Sequence, residues 1–179
     1  MIFEKYNKKV IPAMREKFGY KNNLAVPRIT KVVINTGISE TLKDEKRKKA
    51  IFKDLTTITG QKPVPTLAKK AISGFSIRKG MKLGIKITLR KKRMYDFLDR
   101  LIMAALPRIR DFQGISPKSI DLGGNLTIGI KEHIIFPEIS HEEVSSIFGL
   151  EASITTSAKT KEEGLELFKL LGFPIKLAS

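Results

Sequence analysis

Apolar positions in this chain follow a helical spacing first and then an alternating one. Phe3, Tyr6, Val10 and Met14 recur at helical spacing with Lys5, Lys8, Lys9 and Arg15 among them, which predicts an amphipathic N-terminal helix. Pro12 lacks a backbone donor and crowds the preceding turn, so it should kink or split that helix. From Arg28 the text changes to RITKVVINTG, rich in β-branched residues and closed by Gly37, and predicts a strand. A second helix is expected from about Glu40 to Thr59, ended by Gly60, with Ile51, Leu55 and Ile58 inward and Lys46, Lys49 and Lys53 on the opposite side.

The segment KPVPTLAKKAI reads as an edge-type strand, because proline cannot donate to an inner ladder. LGIKITLRK alternates strictly: Ile85, Ile87 and Leu89 point one way, Lys86, Thr88 and Arg90 the other. Between these strands SGFSIRKGMKLG carries Gly74, Gly80 and Gly84 and predicts a long, flexible hairpin tip over about residues 72–84. A helix follows from Tyr95 to Leu106, with Phe97, Leu98, Leu101, Ile102 and Ala105 on its apolar face. NLTIGIK and ASITTSA predict two more strands, and KEEGLELFKLLG a closing helix. Strands this regular belong to an antiparallel sheet with one buried and one solvated face. The expected fold is therefore α+β, a two-layer single domain over residues 1–179 with an antiparallel sheet of about five strands and helices on one face.

Charge narrows the function. The 34 Lys and Arg against 18 Asp and Glu leave a net +16, far more than solubility asks for. Residues 1–93 hold 25 basic and 6 acidic side chains, residues 94–179 hold 9 and 12, so one half of the chain is built to meet a polyanion. No run approaches a membrane span, the N-terminus lacks the apolar stretch of a signal peptide, and there is no cysteine for disulfides or thiolate metal sites. A soluble cytoplasmic protein is the expectation.

Catalytic chemistry finds little footing. His133 and His141 stand apart from any metal-ligand or acid–base cluster and read as surface or helix-flank histidines, and Gly74 to Gly80 lacks the Lys-Ser/Thr of a phosphate loop. No catalytic residue, metal or cofactor is expected. The alternating strands instead present Lys31, Asn35, Lys86, Thr88, Arg90, Thr127, Lys131, Ser153 and Thr155 on one face. Cations, amides and hydroxyls suit phosphates and ribose 2′-hydroxyls, and the lack of aromatics among them favours folded RNA over splayed single strands. At the tip, Phe75 beside Arg78, Lys79 and Lys82 could stack on and clamp a nucleotide; a solvated hairpin is the plainer alternative. KDEKRKK at 43–49 reads as a solvated helix face, whose Lys46, Lys49 and Lys53 ridge could add sequence-blind phosphate contacts, and Glu138, Glu142 and Glu143 as plain surface or a docking patch for a basic protein. An RNA-modifying enzyme on the same platform, or a membrane-surface protein, are the competing readings. The first lacks a nameable nucleophile, the second a basic helix with a free apolar face.

KVVINTGISE, TGQKPVPTLAKKAISGFSIRKGMKLGIKITLR, MYDFLDRLIMAALPRIRDFQGI and IKEHIIFPEI, in this order, resemble the family of large-subunit ribosomal proteins that bind 5S rRNA, number five in the large-subunit series. The similarity runs from about Tyr6 to Pro174. It implies a non-enzymatic ribosomal component in the central protuberance, with 5S rRNA, large-subunit rRNA and neighbouring ribosomal proteins as partners. The positions matching the family's 5S rRNA contacts are Asn35, Gln61, Thr88 and Arg90. The resemblance further implies that the loop with Phe75, Arg78 and Lys79 reaches the elbow of the peptidyl-site tRNA, and that the C-terminal half bridges to a small-subunit head protein, which draws in the Glu138–Glu143 region.

Overall fold

In the computed structural model, residues 1–38, 44–140 and 146–176 are described. Helical segments α1 (Ile2–Lys5) and α2 (Ile11–Phe18) are joined through a wider π-helical turn, Tyr6–Val10, and Pro12, in the first turn of α2, offers no donor to that turn. Proline thus divides the helix as its chemistry requires, but the inward residues are Ile2, Val10 and Met14. Phe3 is exposed and Tyr6 half-buried, because the π-turn rotates the stripe.

Strand β1 (Ile29–Gly37) is followed by α3 (Glu45–Thr59). Asp44 caps α3 by accepting from the amides of Lys46 and Arg47, both at 3.0 Å, which places the observed start inside the basic run and later than Glu40. Residues 39–43, where the helix was expected to begin, lie outside the described residues. Gly60 closes α3 at φ 65°, a left-handed cap that a side chain would strain.

Edge strand β2 (Val64–Leu67) and β3 (Lys82–Leu89) form a hairpin, and α4 (Lys91–Arg100) continues as a π-helical turn, Leu101–Ala105. It starts four residues before Tyr95 because its first turn, Lys91–Arg93, is wholly charged and exposed, and so carries no apolar period to read. Strands β4 (Leu126–Ile130) and β5 (Leu150–Thr156) precede α5 (Lys161–Leu171).

The five strands form one antiparallel sheet in the order β2-β3-β1-β5-β4. The α+β fold with helices backing a single sheet face is as expected. Inward residues Val32, Ile34, Ile85, Ile87, Ile128, Ala152 and Ile154 meet Met14, Ile51, Leu55, Phe97, Leu98 and Leu167 in one apolar cluster. α5 reaches this layer only because Gly164 lies against the Gly124 turn: a Cβ on Gly164 would stand 2.5 Å from the Gly124 carbonyl oxygen.

His133 is buried, not on the surface. It follows β4 in a short 3₁₀ turn, and its ring stacks on Phe148 with 3.9 Å between centroids. The Phe148 amide donates to Nδ1 at 3.4 Å, and Nε2 stands 3.4 Å from Asp54 Oδ2. Burial pushes the imidazole below its ordinary value, opposed by the nearby Asp54 carboxylate.

Two outcomes are expected. Gly164→Ala should destabilise the protein by about 1–3 kcal/mol despite alanine's better helix propensity, since the clash is with backbone; urea unfolding measures it. The unfolded chain binds a proton at His133 more readily than the folded one, so this contribution is full above pH 6.5 and is lost as pH falls toward the lowered folded value. The wild-type urea midpoint should therefore drop between about pH 7 and pH 5, with a smaller drop in His133→Gln.

Candidate nucleic-acid interface

Antiparallel register sorts the outward residues of the helix-free face into cross-strand rows. Lys86 stands opposite Asn35, and Asn35 opposite Glu151; Thr88 faces Val33, which faces Ser153; Lys31 faces Thr155. On the outer strands, Val64 lies beside Lys86, Thr127 beside Ser153 and Gly129 beside Glu151. Asn35, Lys86, Arg90 and Thr127 are exposed; Lys31, Thr88, Ser153 and Thr155 are half-buried. All face away from the helices.

Charge divides this face. Lys31, Lys86 and Arg90 belong to the β3–β1 side, and among the described residues none of them pairs with a carboxylate. On the β5–β4 side the Ser153 hydroxyl donates to Glu151 at 3.1 Å and lies 3.4 Å from the Thr127 hydroxyl. Glu151, which alternation from Ser153 puts on the same face, is neither a cation nor a hydroxyl and so lies outside the expected set. Val33 and Val64 are apolar members of the face that the expected set also omits. Lys131 falls one residue beyond β4, in a separate cleft with Arg108 and Arg110.

Gln61 is half-buried beside the end of β3. Its Nε2 donates to the Thr88 carbonyl at 3.1 Å and its Oε1 accepts from Arg93 at 3.5 Å. One amide hydrogen remains, so Gln61 chiefly holds the Thr88–Arg93 segment in place.

The tip between β2 and β3 folds on itself. Ile72 and Ile77 exchange backbone hydrogen bonds at 2.9 and 3.1 Å around a 3₁₀ turn, Ser73–Phe75, and below it Ala68 bonds Met81 and Gly80 at 2.8 and 3.0 Å. Phe75 is 77% exposed, and Arg78, Lys79 and Lys82 lie at the tip with it, Arg78 among the chain's cations without a carboxylate partner in the described residues. Lys69 and Lys70 join them from the other limb, a cationic addition that lies outside the glycine-rich motif.

Glu138 forms an ion pair with Arg100 at 2.8 Å and is half-buried, so its charge is already answered within the chain. His141, Glu142 and Glu143 lie outside the described residues. Among the described residues no group of His, Asp and Glu could hold a metal ion, and no helix is long and apolar enough to cross a membrane.

Comparison with known proteins supplies the lineage. Residues 22–78 match the model of ribosomal protein L5, and residues 82–175 match the model of the C-terminus of the same ribosomal family. The two segments meet at the tip and interleave in the sheet, since β1 of the first pairs with β3 and β5 of the second. The large ribosomal subunit protein uL5 of Caldanaerobacter subterraneus subsp. tengcongensis is 53% identical over 171 residues, covering 96% of both chains. That of Halothermothrix orenii is 51% identical, covering 97% of both. The Synechocystis protein is 53% identical, covering 96% of this chain and 95% of its own.

Stability should separate recognition from scaffolding on this surface. Lys86→Ala and Asn35→Ala are expected to shift unfolding free energy by no more than about 0.5 kcal/mol, as ordinary surface changes do. Gln61→Ala should cost about 1 kcal/mol through the lost Thr88 bond, read by urea denaturation of the isolated protein.

Proposed function

The chain belongs to the ribosomal protein L5 family, structural proteins of the large ribosomal subunit and not enzymes, and we propose that it docks 5S rRNA through the β3–β1 side of its open sheet face. It works in the ribosome, in the cytoplasm, with ribosomal RNA as partner. The observation that carries the docking reading is the cluster of Lys31, Lys86 and Arg90 without internal counter-charges, around the Asn35 amide and the Thr88 hydroxyl. Cations there neutralise phosphates and release counterions; Asn35 and Thr88 exchange hydrogen bonds with ribose hydroxyls or phosphate oxygens. A rigid sheet holds these groups in a fixed pattern, so RNA shape selects the fit. Gln61 keeps the Thr88 edge in position and offers its remaining hydrogen to the RNA.

The tip serves a second contact in this reading. Phe75, Arg78, Lys79 and Lys82 project from the body and touch the peptidyl-site tRNA, the aromatic ring against a base or ribose and the cations against phosphates. A bridge to a small-subunit head protein falls to Glu142 and Glu143, because Glu138 is engaged by Arg100. The whole chain acts as a single domain, in keeping with its one apolar core.

Affinity for 5S rRNA should fall about a thousandfold between roughly 50 and 200 mM salt if some six phosphates are neutralised. Filter binding across that range measures it, and an affinity indifferent to salt would refute electrostatic docking. The Asn35→Ala, Thr88→Ala, Arg90→Ala triple variant should lose at least about tenfold in affinity, from several charge-assisted bonds, with an unchanged circular dichroism spectrum. Wild-type affinity in that variant would show that another surface holds the RNA.

A further inference from the structure

Beyond the sheet face, a groove of about 780 Å³ opens where α1, the entry to β1 and the start of α4 meet. Its size falls within the roughly 300–1,000 Å³ of small-ligand pockets, enough for a nucleotide. Phe3 and Tyr95 form an aromatic wall, edge to face with 5.3 Å between ring centroids. Phe3 is 52% exposed although its neighbour Ile2 is buried. Arg28, Arg90, Lys91 and Lys92 line the same groove, and all four are exposed. Two carboxylates share the lining. Asp99 already accepts the Ile2 amide at 2.9 Å, which leaves Asp96 as an acceptor. Lys91, the first residue of α4, is held at φ 53°, in the left-handed region that a lysine side chain disfavours. Unfavourable backbone of this kind collects at binding sites, where surrounding structure enforces it.

We infer that this groove receives one unstacked nucleotide of ribosomal RNA, its base against Phe3 and Tyr95 and its phosphates on Arg28, Lys91 and Lys92. The inference rests on the RNA-docking reading above and adds a second kind of contact to it. The sheet face meets backbone and ribose without aromatics; the groove combines aromatic rings with four cations, the composition that binds splayed bases. The Asp96 carboxylate accepts from an amino or imino group on the base edge, a preference that a purely electrostatic surface lacks. Arg90 directly follows β3 and also lines the groove, so the two surfaces are continuous and one RNA can occupy both.

The test uses the full chain and two RNA hairpins, one fully paired and one with a single bulged 2-aminopurine. Wild-type protein should bind the bulged hairpin at least about tenfold tighter, the gain expected of one stacked base, and quench its fluorescence. Phe3→Ala, at an exposed position, should abolish the preference and the quench while binding the paired hairpin as wild type does. Tyr95→Phe, which keeps the ring, should retain both. Lys86→Ala should weaken the two hairpins equally, which reports on the sheet face alone. Equal wild-type affinity for the two hairpins would overturn the groove assignment, as would a preference that survives in Phe3→Ala.

Discussion

β1 is paired along both edges, to β3 from Val32–Leu89 to Gly37–Gly84 and to β5 from Ile29–Thr156 to Asn35–Glu151. Its register cannot slip by one residue without sending Val32 and Ile34, each at most 1% exposed, into water and Lys31 and Asn35 into the core. A buried lysine without a partner costs several kcal/mol, which is more than any alternative pairing regains. Core and open face are therefore specified by the same alternation. The inward half of each strand holds the helices, and the outward half is left free of them.

Distribution of charge across that surface follows from which strands carry it. β1 and β3 come from the basic part of the chain, whereas β4 and β5 come from the part that is slightly acidic, and the antiparallel order places β2, β3 and β1 together. The cations thus gather on one side, while Glu151 on the other is held by Ser153. The β3–β1 side therefore carries positive potential that no ion pair among the described residues compensates, and the β5–β4 side does not. The same logic extends to the tip, whose cations lie on the continuation of the β2–β3 hairpin.

Strained backbone is concentrated at the surface features. Among the described residues the non-glycine positions with positive φ are Ser76, Lys91 and Asp111. Ser76 turns the tip, Lys91 lines the groove beside α4, and Asp111 lines the cleft with Arg108, Arg110 and Lys131. Such conformations are maintained by the well-packed layer beneath them, where Phe97 and Phe136 stack at 5.8 Å and the Gly124–Gly164 contact brings α5 down onto the sheet. Stability of the core is spent on the geometry of the rim.

Much of this architecture is written in the residue pattern itself. Strict alternation in LGIKITLRK assigned the residues of β3 to their faces, and β-branched runs such as RITKVVINTG marked the strands, because burial on one side of a pleated sheet leaves a two-residue period in the text. The lopsided charge pointed to a polyanion for a related reason: composition reports total potential without needing coordinates. Contacts between distant segments were settled only in three dimensions. His133 looks like an isolated surface histidine until Phe148 and Asp54 close around it, and the ion pair that ties Glu138 to Arg100 is visible only in the fold. Only the fold shows that the end of β3 takes one amide hydrogen of Gln61, and the Phe3–Tyr95 groove joins residues 92 positions apart in sequence. Periodicity encodes which way a side chain faces; only packing decides what it meets there.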